Sequence, residues 1–188
     1  MLSEEQIIER CIKWDRHAQK ELYRLYAPVM LGICMRYFGN ISEAEDVLQE
    51  GFLKVFTKIN EFEGKGSFLG WMKKIFINTS INHYHFNVKH RHHLDIDDIV
   101  EPIIDDIDTT SEFSQEELMN IINSLPDGYR VVFNLYAIEG YKHKEIAELL
   151  HIDINTSKSQ YSRARKIIQK RLTDLVAEPI KSLESDEK

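Results

Sequence analysis

Ser42-Glu-Ala-Glu-Asp-Val-Leu-Gln-Glu-Gly-Phe-Leu-Lys-Val-Phe56, continuing to Ile59, is the stretch from which the fold of this 188-residue chain is read. Ser42 followed by Glu45 has capping-box spacing and predicts a helix start. At about 100° per residue, Leu48, Phe52, Val55, Phe56 and Ile59 share one side, which predicts a core face. Asp46, Gln49 and Glu50 fall opposite, with Leu53 among them. Such a face is either a solvated acidic surface with one stray leucine or a surface that meets something other than water.

Upstream, Ile7, Ile8, Cys11 and Ile12 share a helical face, and Asp15 is placed to cap a helix from Arg16 to Phe38 with Leu22, Leu25 and Tyr26 on its apolar stripe. Pro28 removes a backbone donor and predicts a kink or break near Ala27. Ile33, Cys34 and Tyr37 then resume the stripe, and Gly39-Asn40 is the expected stop. Downstream, residues 61–67 read as a loop with freedom at Gly64 and Gly66. Phe68, Trp71, Met72, Ile75 and Phe76 recur at helical spacing, continuing to Tyr84 or beyond.

Ser114 with Glu117 predicts a second capped helix, ended at Leu125 by Pro126. Asp127 is the expected cap of a helix over 129–138, packed through Val132, Phe133 and Tyr136 and stopped by Gly140. A short helix follows over 142–150, burying Ile146, Ala147, Leu149 and Leu150, then a turn at 151–154. Asn155 is the expected cap of a last helix from Thr156 to about Val176. No stretch alternates as a strand, and no repeat occurs. The fold class is all-α, with two small helical domains joined by an acidic linker and a helix-turn-helix in the second. The expected boundaries are 1–93, a linker at 94–113, a second domain at 114–178 and a tail at 179–188.

A hydrophobic content of 43% argues for folded cores. With no run of 18 apolar residues and no signal-peptide pattern, a soluble cytoplasmic protein without membrane insertion is expected. Cys11 and Cys34 fit no disulfide or zinc framework and are expected reduced, at least one of them in a core. The net charge of −7 is unevenly spread. Residues 1–92 carry 13 Lys and Arg against 11 acids, and residues 114–172 carry 9 against 7. Residues 93–113 hold 8 acids and neither Lys nor Arg. Both folded parts are therefore mildly basic, and the acidity sits in the linker and tail.

On the last helix Ser157, Tyr161, Ala164, Ile168 and Leu172 form the expected buried side, while Lys158, Ser159, Ser162, Arg163, Lys166 and Lys170 lie open. Six basic residues and no acid occur between Thr156 and Leu172. Small polar residues near the start of a basic helix suit entry into a major groove, although a solvated basic face has the same pattern. His83, His85, His90, His92 and His93 lack zinc-site spacing, since i and i+2 side chains diverge on a helix. The acid pairs Glu45–Asp46 and Asp97–Asp98 have no nucleophile or phosphate loop beside them. No catalytic residue, metal or cofactor is expected, and the chain is not read as an enzyme.

AEDVLQEGFLKVF, FLGWMKKIFIN and LPDGYRVVFNLYAIEGYKHKEIAELLHIDINTSKSQYSRARKIIQKRL together resemble bacterial sigma factors of the extracytoplasmic-function (ECF) group, in the sigma-70 family. That resemblance implies a transcription initiation subunit that docks on core RNA polymerase through Asp46, Gln49, Glu50 and Leu53. It implies melting at the promoter −10 element by the Gly64–Ser67 loop, with Lys65, Ser67, Asn78, Asn82 and His83. It implies −35 readout by Thr156, Lys158, Ser159, Gln160 and Arg163, with Lys166, Arg165 and Lys170 on phosphates or packing. Promoter DNA, core polymerase and an anti-sigma factor are the implied partners.

The family usually has glycine at 151, an apolar residue at 157 and arginine at 160, where this chain has His151, Ser157 and Gln160. It commonly has aspartate at 82 followed by arginines, where this chain has Asn82, His83 and His85. A linker of 20 residues spans at most about 66 Å at about 3.3 Å each. That reaches about 19 base pairs at about 3.4 Å of rise. The rival expectation is a self-sufficient helix-turn-helix regulator whose N-terminal domain senses or dimerises.

Overall fold

The structure, a computed structural model, describes residues 2–90 and 113–185, with side chains as far as 89 in the first stretch and 176 in the second. The acidic linker expected over 94–113 lies outside them except for Phe113, as do His92, His93 and the ring of His90. Every regular element among the described residues is helical, as the sequence pattern predicts, and the chain divides into the units Met1–His90 and Arg91–Lys188.

In the first unit α1 (Glu4–Ile12), α2 (Arg16–Tyr37) and α3 (Ile41–Lys58) are followed by a 3-10 turn (Ile59–Glu61) and α4 (Phe68–His90). α2 packs against the other three helices, and α3 against α4. Leu22, Met30, Val47, Val55, Met72 and Phe76 are sealed from water at the centre. Asp15 caps α2 by accepting from the backbone N–H groups of His17 and Ala18, and pairs with Arg10 at 2.6 Å. Cys11 and Cys34 are both buried and unpaired. Burial, with Asp15 assisting, pushes the Cys11 thiol up to about 11, and burial pushes Cys34 up to about 12. Neither is a thiolate at neutral pH, so neither is a reactive cysteine.

Three local expectations for this unit change. Asn40, not Ser42, caps α3: its side chain accepts from the Glu43 N–H at 2.8 Å. Both residue types cap well, and Asn40 wins because the chain leaves α2 at Phe38 and is extended at 40, one residue before the helix resumes. Gly39-Asn40 therefore serves the next helix rather than ending the last. α2 also runs through Pro28 without a break. Pro28 lies on the exposed side of α2, while buried Leu22, Ala18, Met30 and Ile33 hold both halves against one core. Leu25, expected on the stripe, is 44% exposed, because the core contacts of α2 fall at Leu22 and Tyr26 instead.

In the second unit α5 (Gln115–Asn123), α6 (Asp127–Phe133), a wide π turn (Asn134–Ile138) and α7 (His143–Leu150) precede the long α8 (Ile154–Ser185). α5, α6 and α7 all pack on α8. Ser114 and Glu117 form the expected capping box. Pro126, not Asp127, precedes α6, and Asp127 lies inside the first turn, where its carboxylate accepts from Arg130 at 2.5 Å. The extra residue in the π turn rotates the side chains behind it. Leu135 therefore fills the core with Val131 and Val132, while Tyr136, expected inside, is 37% exposed. Asp153 rather than Asn155 caps the first turn of α8, its carboxylate accepting from the Asn155 N–H at 2.7 Å. α8 runs past Val176 to Ser185, carrying Pro179 within it.

His151 ends α7 in the left-handed region at φ 54° and ψ 43°, at the position where glycine is usual in the resembled family. A side chain there carries about 1–2 kcal/mol of strain, and branching at Cβ adds to it. His151→Val is expected to lower unfolding free energy by about 1–2 kcal/mol, while His151→Gly does not lower it. Urea denaturation of the two variants checks this.

Candidate functional surfaces

The side of α3 that faces away from the core carries Asp46, Gln49 and Glu50, all exposed, with Leu53 at 67% exposure. The helix folds this way because Ala44, Val47, Leu48, Phe52 and Val55 are consumed by α2 and α4, which fixes the opposite face outward. Gly51 lets α4 approach closely, since the ring of Phe76 lies directly over it. Glu50 pairs with Lys54 at 2.6 Å, and Lys54 also donates to the hydroxyl of Thr79 on α4. The acidic face is thus tied to the neighbouring helix rather than floating. Beside it runs an open groove of about 500 Å³ between α2 and α3, lined by Tyr23, Ala27, Pro28, Leu31, Glu45, Leu48 and Gln49. The sequence reading missed Tyr23 and Glu45 as neighbours of this face. Tyr23 sits there because its ring leans on Phe52 at 4.6 Å, a contact across two helices that no single-helix periodicity reveals.

The loop before α4 turns through Gly64 at φ 72° and Gly66 at φ 88°, values that glycine adopts without strain. Lys65 projects from it, paired with Glu63 at 2.6 Å while both remain mostly exposed. Ser67 accepts from the Gly70 N–H at 3.0 Å and so helps open α4. Phe62, Phe68 and Trp71 stack beneath the loop, with Phe68 and Trp71 5.5 Å apart. Asn78 and Asn82, one turn apart, are exposed on a common face. His83 does not join them. It lies about 100° further round, half-buried, with its ring edge-on to Phe38 at 5.1 Å.

In the second unit α7, the left-handed turn at His151 and α8 form the helix-turn-helix. Lys158, Ser159 and Ser162 are exposed on the first turns of α8, and Thr156, Gln160 and Lys166 are half-buried beside them. Arg163 is half-buried, and its guanidinium donates to the Tyr129 hydroxyl at 3.3 Å, which ties α8 to α6. Ser157 is fully buried, and its hydroxyl lies 3.0 Å from His143 Nδ1. His143 in turn stacks on Tyr136 at 4.2 Å. A polar serine is therefore satisfied where an apolar residue would plug the same space. Burial, and then Lys158, hold the His143 imidazole below its ordinary value, so the neutral ring is favoured. This pair escaped the sequence reading because its members lie 14 residues apart on different helices.

Family models for "Sigma-70 region 2" and "Sigma-70, region 4" match residues 22–88 and 115–168, which together take in more than half of the chain. Among curated proteins, the RNA polymerase sigma-H factor of Pseudomonas aeruginosa is 28% identical, with 93% of this chain and 96% of that protein covered. The ECF RNA polymerase sigma factor SigW of Bacillus subtilis is 29% identical, with 89% and 96% covered. The ECF RNA polymerase sigma-E factor of Escherichia coli is 27% identical, with 93% and 97% covered. Among solved structures, the sigma factor RpoE of Bartonella quintana, crystallised with the anti-sigma factor NepR, is 20% identical with a TM-score of 0.48, covering 82% of this chain and 96% of that one.

Proposed function

The chain belongs to the sigma-70 family, in its ECF group, and is an RNA polymerase sigma factor; we propose that it docks on core polymerase through the acidic face of α3 and reads promoter DNA with both units. The exposure of Asp46, Gln49, Glu50 and Leu53, on a helix whose other side is consumed by the core, is the observation that carries the docking reading. Asp46 and Glu50 face outward, Glu50 held in place by Lys54, so the face presents negative charge to a basic partner, and Leu53 supplies the apolar contact that a solvated face lacks. Core RNA polymerase is the partner of that face.

At the −10 element, Asn78 and Asn82 supply paired amide donors and acceptors, Lys65 a phosphate contact, and the Gly64–Ser67 loop the room for an extruded base. His83 contributes through packing on Phe38 rather than from the amide face. At the −35 element Lys158, Ser159 and Gln160 enter the major groove with Thr156 and Arg163 behind them, and Lys166 meets backbone phosphate. Arg163 reaches DNA only by sharing or leaving its bond to Tyr129. The activity consists of binding and strand separation in the cytoplasm, with no bond chemistry of its own and no resident cofactor. An anti-sigma factor is the expected regulator.

Core polymerase mixed with the purified chain is expected to yield promoter-specific transcripts. Asp46→Ala is expected to weaken core binding by about 1–2 kcal/mol, roughly five- to thirtyfold, with an unchanged melting temperature because the side chain is exposed. Unchanged core affinity would reject the docking face. Tight duplex binding by a dimer of the isolated chain would favour a stand-alone regulator instead.

A further inference from the structure

A hydroxyl inside a helix ordinarily returns to the carbonyl one turn back. Thr79, Ser80 and Thr173 do so, at 2.8, 2.9 and 3.0 Å. Ser157, fully buried near the start of α8, instead meets Nδ1 of His143 on α7 at 3.0 Å. Either neutral tautomer of the ring completes that bond, because a hydroxyl both donates and accepts.

The imidazole is held from two further directions. Tyr136 of the π turn lies face to face with it at 4.2 Å and 14°. Tyr161, one turn beyond Ser157 on α8, stands edge-on to it at 5.9 Å and 61°, and packs on Tyr136 at 4.4 Å. One ring is thus gripped by α8 at two points a turn apart. Apolar burial, such as that of Ala164 on the same helix, resists separation but has no preferred direction. A hydrogen bond and packed rings do have one. The contact therefore fixes the rotation of α8 about its own axis as well as its distance from α7. What that rotation aims is the run after Ser157: Lys158 and Ser159, both exposed, and Gln160, half-buried.

We propose that His143 is a positioning residue for −35 readout: its bond to Ser157 sets the rotation of α8 and so aims Lys158, Ser159 and Gln160 at base edges. This rests on the reading of those three residues as the face that enters the major groove. Contacts to base edges tolerate only about 0.5 Å or 10–20° of misplacement. A lysine that reaches a phosphate swings on a long flexible stem and tolerates far more. The role of the pair therefore lies in sequence discrimination rather than in general affinity for DNA. The imidazole itself need touch no base.

The test uses holoenzyme assembled from core polymerase and the full chain. The probes are a promoter fragment that the wild type transcribes and the same fragment with its −35 element replaced, compared at one salt concentration. His143→Phe keeps a ring on Tyr136 and loses the bond, after which the Ser157 hydroxyl can turn back to its own helix. It is expected to lower affinity for the first fragment about tenfold, the worth of roughly one base contact. Affinity for the second fragment, core affinity and melting temperature stay unchanged. Ser157→Ala is expected to lose the same discrimination, and the double variant no more than either. Wild-type discrimination in either single variant, or additive losses in the double, overturns the positioning role. Equal loss on both fragments overturns it in favour of a phosphate contact by the ring. A loss that follows a lowered melting temperature of His143→Phe overturns it in favour of support for the fold alone. Wild-type holoenzyme that does not distinguish the two fragments overturns the groove reading beneath it as well, while normal discrimination with unaffected variants overturns the positioning role alone.

Discussion

Arg130→Ala is expected to cost the second unit about 2–4 kcal/mol, a large part of the stability of a small domain. The Arg130 side chain is only 7% exposed. Its guanidinium donates to the carbonyls of Asn123 and Leu125 at 2.9 and 3.0 Å and to the Asp127 carboxylate at 2.5 Å. The carbonyls belong to the end of α5, and Asp127 to the first turn of α6, so one planar fork closes the corner between two helices. Truncation leaves two carbonyls without that donor in a buried corner and a carboxylate without its cation, and the loss of each buried bond is expensive. Arg130→Lys is expected to recover only part of the loss, because a single ammonium cannot address three acceptors in fixed directions. Urea denaturation of the full chain checks this, with exposed Ser159→Ala as the neutral control. A cost below about 1 kcal/mol, the value of an ordinary hydrogen bond, would show that the corner is held by other contacts.

Gly51→Ala is the second large effect, and its sign is decided by two opposed magnitudes. An alanine in a helix interior is worth about 1 kcal/mol over glycine. A Cβ at position 51, however, would stand 2.3 Å from the ring of Phe76, which is itself fully buried and in edge contact with Phe52. The ring has no room to swing, so α3 and α4 must separate. Overpacking of this kind costs about 1–3 kcal/mol, which exceeds the helical gain. Gly51→Ala is expected to destabilise the first unit and to disturb the seat of the acidic face on α3. Gly32→Ala is the internal contrast: it also lies mid-helix, but nothing stands within 4 Å of its added Cβ. There the propensity term acts alone and the variant is expected to be more stable. Thermal melting of the pair distinguishes them, and a shift of the same sign in both would remove the close-packing account.

The acidic outer side of α3 was legible in the chain because period 3.6 separates Leu48, Phe52 and Val55 from Asp46, Gln49 and Glu50 wherever the helix begins. A two-residue error in its cap, Ser42 for Asn40, therefore left the faces unchanged. The two sides of α8 were legible for the same reason, with Ser157 and Ala164 inside and Lys158, Ser159 and Ser162 outside. Misread residues were those whose surroundings come from another helix. Tyr136 was expected inside until a π turn moved Leu135 into its place. His83, which the resemblance groups with Asn82, lies about 100° further round the helix, half-buried against Phe38.

The amino-acid sequence by itself determined that the described chain is helical, that its acidic and basic faces lie on particular sides of α3 and α8, and which family it resembles. These follow from periodicity and local capping, which act within a few residues. Only the tertiary structure decided that Pro28 is tolerated, that Arg130 locks a corner, that Ser157 is matched by His143 and that Gly51 must stay small. Each of those depends on what a second helix brings within a few ångströms, and the spacing of residues along one helix does not contain that information.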